Sequence, residues 1–137
     1  MKNQKQWCWV HSDIPPKCKL DRWAKQSLVA KAQAFIADFY RPTFIQPPPA
    51  DPQLNYVVDF SARWHGSYLL FTAKYACTGP NAIAPFFDDN FARLGYLGPD
   101  RFNIWARRHN DQWMIIASDL TLDACFAEMR DNPWFHF

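Results

Sequence analysis

Two consecutive hairpins that share a strand, within residues 90–118, constrain the fold of this chain most strongly. The first turn is the Gly-Pro-Asp sequence of residues 98–100, and the second is Asn110-Asp111, which separates two apolar segments. Turn residues between apolar segments of strand length are typical of antiparallel hairpins. An antiparallel sheet needs cover for its apolar face, so we expect helices on either side of this segment to pack on it.

Two helices are predicted, one before and one after these hairpins. Residues 20–40 carry an apolar stripe at helical spacing that includes Trp23 and Phe35. Arg41-Pro42 is expected to end this helix, because the residue before a proline avoids the helical conformation. The second helix is predicted over residues 122–130, preceded by a threonine that can serve as its N-cap.

A further hairpin is predicted over residues 54–77, and its apolar residues suggest a register. With His65-Gly66 as a two-residue turn, each apolar residue of the first strand faces an apolar residue of the second. The predicted pairs are Ala62–Leu69, Phe60–Phe71, Val58–Ala73 and Tyr56–Tyr75. The opposite face is polar and includes Arg63, so it is open to water or to a ligand. Residues 82–89 are interpreted as a loop before the next strand.

These elements predict one α+β domain over residues 1–137, an antiparallel β-meander of about five strands packed with an N-terminal and a C-terminal helix. Of the 137 residues, 49% are apolar and 18% aromatic, which is enough for one hydrophobic core. Residues 1–19 contain a Pro-Pro pair that forbids a helix there. Because this irregular segment is rich in aromatic residues, we expect it to dock on the domain.

The net charge, the lack of a long apolar segment and the N-terminal sequence together predict a cytoplasmic protein. A formal net charge of +2 is too small to indicate a polyanionic partner, so nucleic acid is not expected as a ligand. No apolar segment approaches the roughly 18 residues that a membrane helix needs. The N-terminus leads into no apolar signal-peptide core, so neither export nor a membrane partner is expected.

The candidate metal ligands are Cys8, His11 and Cys18, since a Cys-x2-His sequence can supply two ligands. A structural zinc needs a closed set of four ligands, and no fourth follows nearby, so no metal is expected. The remaining cysteines are Cys77 and Cys125, and no two cysteines form a CxxC pair. We therefore expect free thiols and no cofactor.

The candidate ligand-binding residues are basic and aromatic side chains near the hairpin turns: Arg63, His65, Trp105, Arg107 and His109. Arginines beside aromatic rings on a sheet can bind an anionic group and stack a planar one. Alternation along a strand puts Arg107 on the same face as Trp105 and His109. In the alternative, structural interpretation, Arg108 pairs with Trp113 across the hairpin and both histidines are ordinary turn residues.

No catalytic signature is present in the sequence. It contains no glycine-rich phosphate loop, no Gly-x-Ser-x-Gly and no His-Glu-x-x-His. The predicted function is a non-catalytic binding or interaction domain, with a protein or a small anionic ligand as its partner. Two alternatives stay open. One is a small-molecule or nucleotide-binding protein that uses the basic and aromatic sheet face, and the other is an enzyme of unrecognised type.

From about residue 20 onward the chain resembles small bacterial proteins classed as a domain of unknown function. The features that carry the resemblance are the helix end at Arg41-Pro42, the strand of residues 91–96, Arg107-Arg108-His109 before Trp113, the Thr121-Leu122 helix start and the aromatic tail of residues 131–137. The resemblance implies a small bacterial helix–meander–helix domain. It implies no activity, substrate or cofactor.

Overall fold

The computed structural model describes residues 20–51, 53–80, 82–108 and 110–137. Its elements in chain order are α1 (Arg22–Phe35), a π-helical turn (Ile36–Tyr40), α2 (Arg41–Phe44), β1 (Tyr56–His65), β2 (Tyr68–Ala76), β3 (Phe86–Gly98), β4 (Arg101–Arg107), β5 (Trp113–Leu120), α3 (Leu122–Asp131) and a 3-10 turn (Pro133–Phe135). The five strands form one antiparallel sheet in sequence order. The predicted α+β meander is thereby confirmed. The predicted docking of residues 1–19 lies outside the described residues.

The N-terminal helix begins at an N-cap, where the Asp21 carboxylate accepts a hydrogen bond from the backbone N–H of Ala24 at 2.7 Å. Its predicted end at Arg41-Pro42 is wrong. Arg41 keeps helical backbone angles, and the chain stays helical to Phe44. Pro42 is tolerated because it lies in the first turn of α2, where a backbone N–H is not needed for a helical hydrogen bond.

The register of the first hairpin differs from the prediction by two residues. Ala62 lies opposite Phe71 rather than Leu69. The turn is formed by Gly66-Ser67, and Gly66 adopts a positive φ of 60° that suits glycine. Because side chains alternate with a period of two, a shift of two residues leaves those from Phe60 to the turn on their predicted faces.

Two further differences from the prediction concern the start of β1 and the start of β3. The β1–β2 register shifts between Val57 and Asp59, and Val57 is buried where Val58 was expected. The expected loop of residues 82–89 is shorter, because β3 already begins at Phe86 and pairs with the end of β2.

One face of the sheet forms the core with the helices. Phe60, Phe71 and Leu94 from the strands are buried together with Phe35 of α1 and Phe126 of α3. The rings of Phe35 and Phe126 are stacked at 4.4 Å and so join the two helices over the sheet. Trp23, at the start of the predicted apolar stripe, is exposed. None of the described helices is long and apolar enough to cross a membrane.

Alkaline pH is expected to destabilise this core through Tyr40 and Cys125. Burial raises the pKa of the Cys125 thiol from 9.0 to about 12, with smaller contributions from two nearby carboxylates. Burial also raises the pKa of Tyr40 well above its usual 10.0. Above about pH 9 the unfolded chain therefore loses protons that the folded chain retains, and the free energy of unfolding falls as pH rises.

Urea titrations at a series of alkaline pH values measure this decline. The Tyr40→Phe variant lacks one of the groups whose pKa is raised by folding, so its free energy of unfolding should fall less steeply with pH. The variant also loses the hydrogen bond that the Tyr40 hydroxyl donates to the Phe135 carbonyl at 3.0 Å, which lowers stability at every pH. Equal slopes for the variant and the parent protein would contradict the prediction.

Candidate functional site

The sheet face turned away from α1 and α3 carries most of the candidate residues. The register aligns Arg63, Leu70, Arg93 and Trp105 in one row across β1 to β4. Residues opposite each other in antiparallel strands project to the same side. Arg107, two residues after Trp105 on β4, projects to that side as well. We call the surface that bears Arg63, Arg93 and Arg107 the basic face.

The centre of the basic face is an arginine enclosed by aromatic rings. The guanidinium carbon of Arg93 lies 4.1 Å from the ring centroid of Tyr68 and 4.7 Å from those of Trp105 and Trp113. The rings of Tyr68 and Trp105 meet edge to face at 5.4 Å. Trp105 is 0% exposed. It therefore supports Arg93 from below and does not offer a ring to a ligand.

Sequence reasoning missed Arg93, although alternation along β3 contained the signal. Ala92 and Leu94 are both buried against the helices, so the residue between them must project to the opposite face. The cluster also depends on rings from β2, β4 and β5, and these come together only through the strand pairing.

A short chain of hydrogen bonds positions Arg63 on the basic face. The Nη1 of Arg63 donates to the Thr72 hydroxyl at 3.1 Å, and this hydroxyl donates to the side-chain oxygen of Asn90 at 2.8 Å. Thr72 is buried, whereas Arg63 is exposed. The arginine is thus oriented from beneath while it remains accessible to solvent.

Four of the five predicted ligand-binding residues can be placed. Arg63, His65, Trp105 and Arg107 project to the basic face, and His65 is exposed at the end of β1 opposite Tyr68. His109 lies outside the described residues. The candidate residues therefore lie on both β1 and β4, whereas the sequence hypothesis centred on the hairpin that contains Arg107 and His109.

The expected contact between Arg108 and Trp113 is wrong. Trp113 pairs with Arg107, whose guanidinium carbon lies 5.7 Å from the Trp113 ring centroid. Arg107 also forms an ion pair with Asp111, with 3.4 Å between Nη2 and Oδ1. Arg108 follows the end of β4, and its side chain is exposed. Its backbone N–H closes the turn by donating to the carbonyl of Gln112 at 2.8 Å.

The predicted metal ligands Cys8, His11 and Cys18 lie outside the described residues. Within the part of the chain that the structure describes, no group of three or more His, Cys, Asp or Glu side chains could hold a metal ion. Cys77 is half-buried, Cys125 is buried, and both are free thiols.

Comparison with known proteins supports the resemblance seen in the sequence. No curated protein and no solved structure matches the chain. A family model described as a domain of unknown function, DUF3024, matches residues 20–137. This range contains every helix and strand described above. The chain therefore belongs to the DUF3024 family of domains of unknown function.

Proposed function

We propose that this protein is a non-catalytic binding domain whose basic face holds a small anionic ligand. The observation that carries the proposal is the alignment of Arg63 and Arg93 in one cross-strand row, with Arg107 beside them. Within the described strands, no carboxylate occurs in the rows that contain these arginines. Asp111, which pairs with Arg107, comes from a turn. Arg63 is exposed in this row, so it presents a solvent-accessible positive charge that attracts anions.

Within the proposed site, Arg63 has the main binding role. Among the described residues its one hydrogen-bond partner is Thr72, and the planar guanidinium can present its outer edge to a carboxylate or phosphate. The Arg93 cluster gives this surface a rigid base, because three rings enclose its guanidinium. The expected bacterial, cytoplasmic setting is part of this proposal.

A protein partner is the second candidate, and exposed apolar side chains favour it. Ile83, Phe86 and Phe87 are all exposed before and at the start of β3. These side chains are close together in the sequence, and exposed apolar surface is common at protein interaction sites. Catalysis has less support, since the residues described on the basic face form no arrangement of nucleophile and base.

A thermal-shift comparison tests the anion proposal. Inorganic phosphate, pyrophosphate, citrate and AMP are each titrated into the parent protein and into the Arg63→Gln and Arg22→Gln variants. We expect at least one anion to raise the melting temperature of the parent protein by mass action. Arg63→Gln should weaken that anion about threefold or more, as loss of an exposed charge contact does.

Arg22→Gln is the matched control, because Arg22 is an exposed arginine on α1, away from the basic face. It removes the same charge and should leave the affinity unchanged. Failure of all four anions to stabilise the parent protein would contradict the proposal. Equal weakening by the two variants would attribute the effect to net charge and would also overturn it.

A further inference from the structure

A separate cavity of about 420 Å³ lies at the end of the sheet, beneath the C-terminal tail. Its aromatic walls are Tyr75 of β2, Phe91 of β3, and Trp134 and Phe137 of the tail. The Phe137 ring lies 4.9 Å from that of Phe91 and 6.3 Å from that of Tyr75. Trp134 and Phe137 are both substantially exposed, so they form an accessible aromatic rim. A planar ring is the shape that such walls accommodate.

The tail that forms one wall is anchored in place. The His136 ring nitrogen Nε2 lies 2.8 Å from the carbonyl oxygen of Arg130 and 3.1 Å from that of Met129, so as an N–H it caps the end of α3. Phe135 is buried, and its carbonyl accepts the Tyr40 hydroxyl. The cavity is therefore formed before a ligand arrives, which lowers the entropic cost of binding.

The charged groups at the cavity favour one additional negative charge. Arg107 and Arg108 both line it, together with Asp89 and Asp111. Asp111 is already paired with Arg107, while Arg108 forms no ion pair with any described residue. The Nε of Arg107 is a buried donor that has no acceptor among the described residues. The guanidinium groups of Arg107 and Arg108 thus line the cavity beside its aromatic walls and can donate hydrogen bonds to an anion.

Asp89 modulates this charge balance. Burial raises the pKa of its carboxyl group, while the nearby Arg107 lowers it and Asp111 raises it. When ionised, the Asp89 carboxylate repels a bound anion, and when neutral it does not. The residue is therefore expected to weaken the binding of an anion in the cavity.

We infer that the cavity binds a small aromatic carboxylate, with its ring against the aromatic walls and its carboxylate at Arg107 and Arg108. The two proposed sites share Arg107, but the cavity does not include Arg63, so this inference does not require an anion to bind at Arg63. The volume suits a monocyclic acid and leaves room for substituents on the ring.

Benzoate is the probe for this inference, and the indole N–H signal of Trp134 is the readout. The signal is identified in the spectrum of isotope-labelled protein by its loss in the Trp134→Phe variant. Benzoate should shift it saturably. Benzamide, which is neutral and similar in shape, should bind about threefold or more weakly, because it lacks the charge that the two arginines attract.

Three variants separate the contributions of the lining residues. Arg108→Gln should weaken benzoate about threefold, and Asp89→Asn should tighten it by a similar factor, because a like charge is removed. A gain in affinity cannot arise from a misfolded variant. Arg63→Gln should leave benzoate binding unchanged. The benzoate experiment can therefore fail without contradicting the proposal that Arg63 binds an anion. Equal affinity for benzamide, no saturable shift with benzoate, or weaker binding by Asp89→Asn would each overturn the inference.

Discussion

Replacement of Phe60 with alanine is expected to lower the free energy of unfolding by about 3–5 kcal/mol, because it empties a core position. Phe60 is 1% exposed at the centre of β1. Its ring lies 5.1 Å from that of Tyr40, 5.3 Å from that of Phe137 and 6.0 Å from that of Phe91. These partners belong to three separate parts of the chain, so they cannot easily collapse into the space. Urea titration of the variant measures the loss.

Phe86→Ala provides the matched control for Phe60→Ala. Phe86 lies on a strand of the same sheet but is 49% exposed. Its main described contact is the Lys74 ammonium, 4.8 Å from the ring centroid. The control should cost less than about 1 kcal/mol, as expected for an exposed cation–π contact. If Phe60→Ala is no more destabilising than Phe86→Ala, then Phe60 does not occupy the core.

Replacement of Trp105 with alanine is the second change with a large expected effect, about 3–5 kcal/mol for a fully buried tryptophan. The indole is 0% exposed and contacts both the Arg93 guanidinium and the Tyr68 ring. Its removal leaves a cavity and also withdraws one of the three rings that enclose a cation. Denaturant titration gives the stability loss, and near-ultraviolet circular dichroism reports the loss of packing around the remaining rings.

Arg108→Ala is the control for this second prediction. Arg108 is exposed and does not lie against Trp113, so its loss should change stability by no more than about 0.5 kcal/mol. This reverses the expectation from the sequence, in which Arg108 was the structural arginine. If Arg108→Ala destabilises the protein nearly as much as Trp105→Ala does, then Arg108 is a structural arginine, as the sequence interpretation had it.

Local patterns in the sequence predicted the elements and, in most places, their faces. Alternation along β1 assigned Phe60 and Ala62 to the core and Arg63 to the other side, and these assignments hold despite the shifted register. They hold because side-chain direction depends on strand parity and not on the partner residue. The turn residues of the two later hairpins likewise determined where the chain reverses.

The sequence by itself thus determined an α+β meander with a helix before and after it, because periodicity and turn chemistry act over a few residues. Tertiary structure alone decided which arginine is enclosed. Arg93 meets Trp113 from two strands away, and Arg107 rather than Arg108 pairs with that ring. It also created the cavity, which joins Tyr75, Asp89 and Phe137. Such contacts depend on register, bulges and tail packing, which are set by the whole core and not by neighbouring residues.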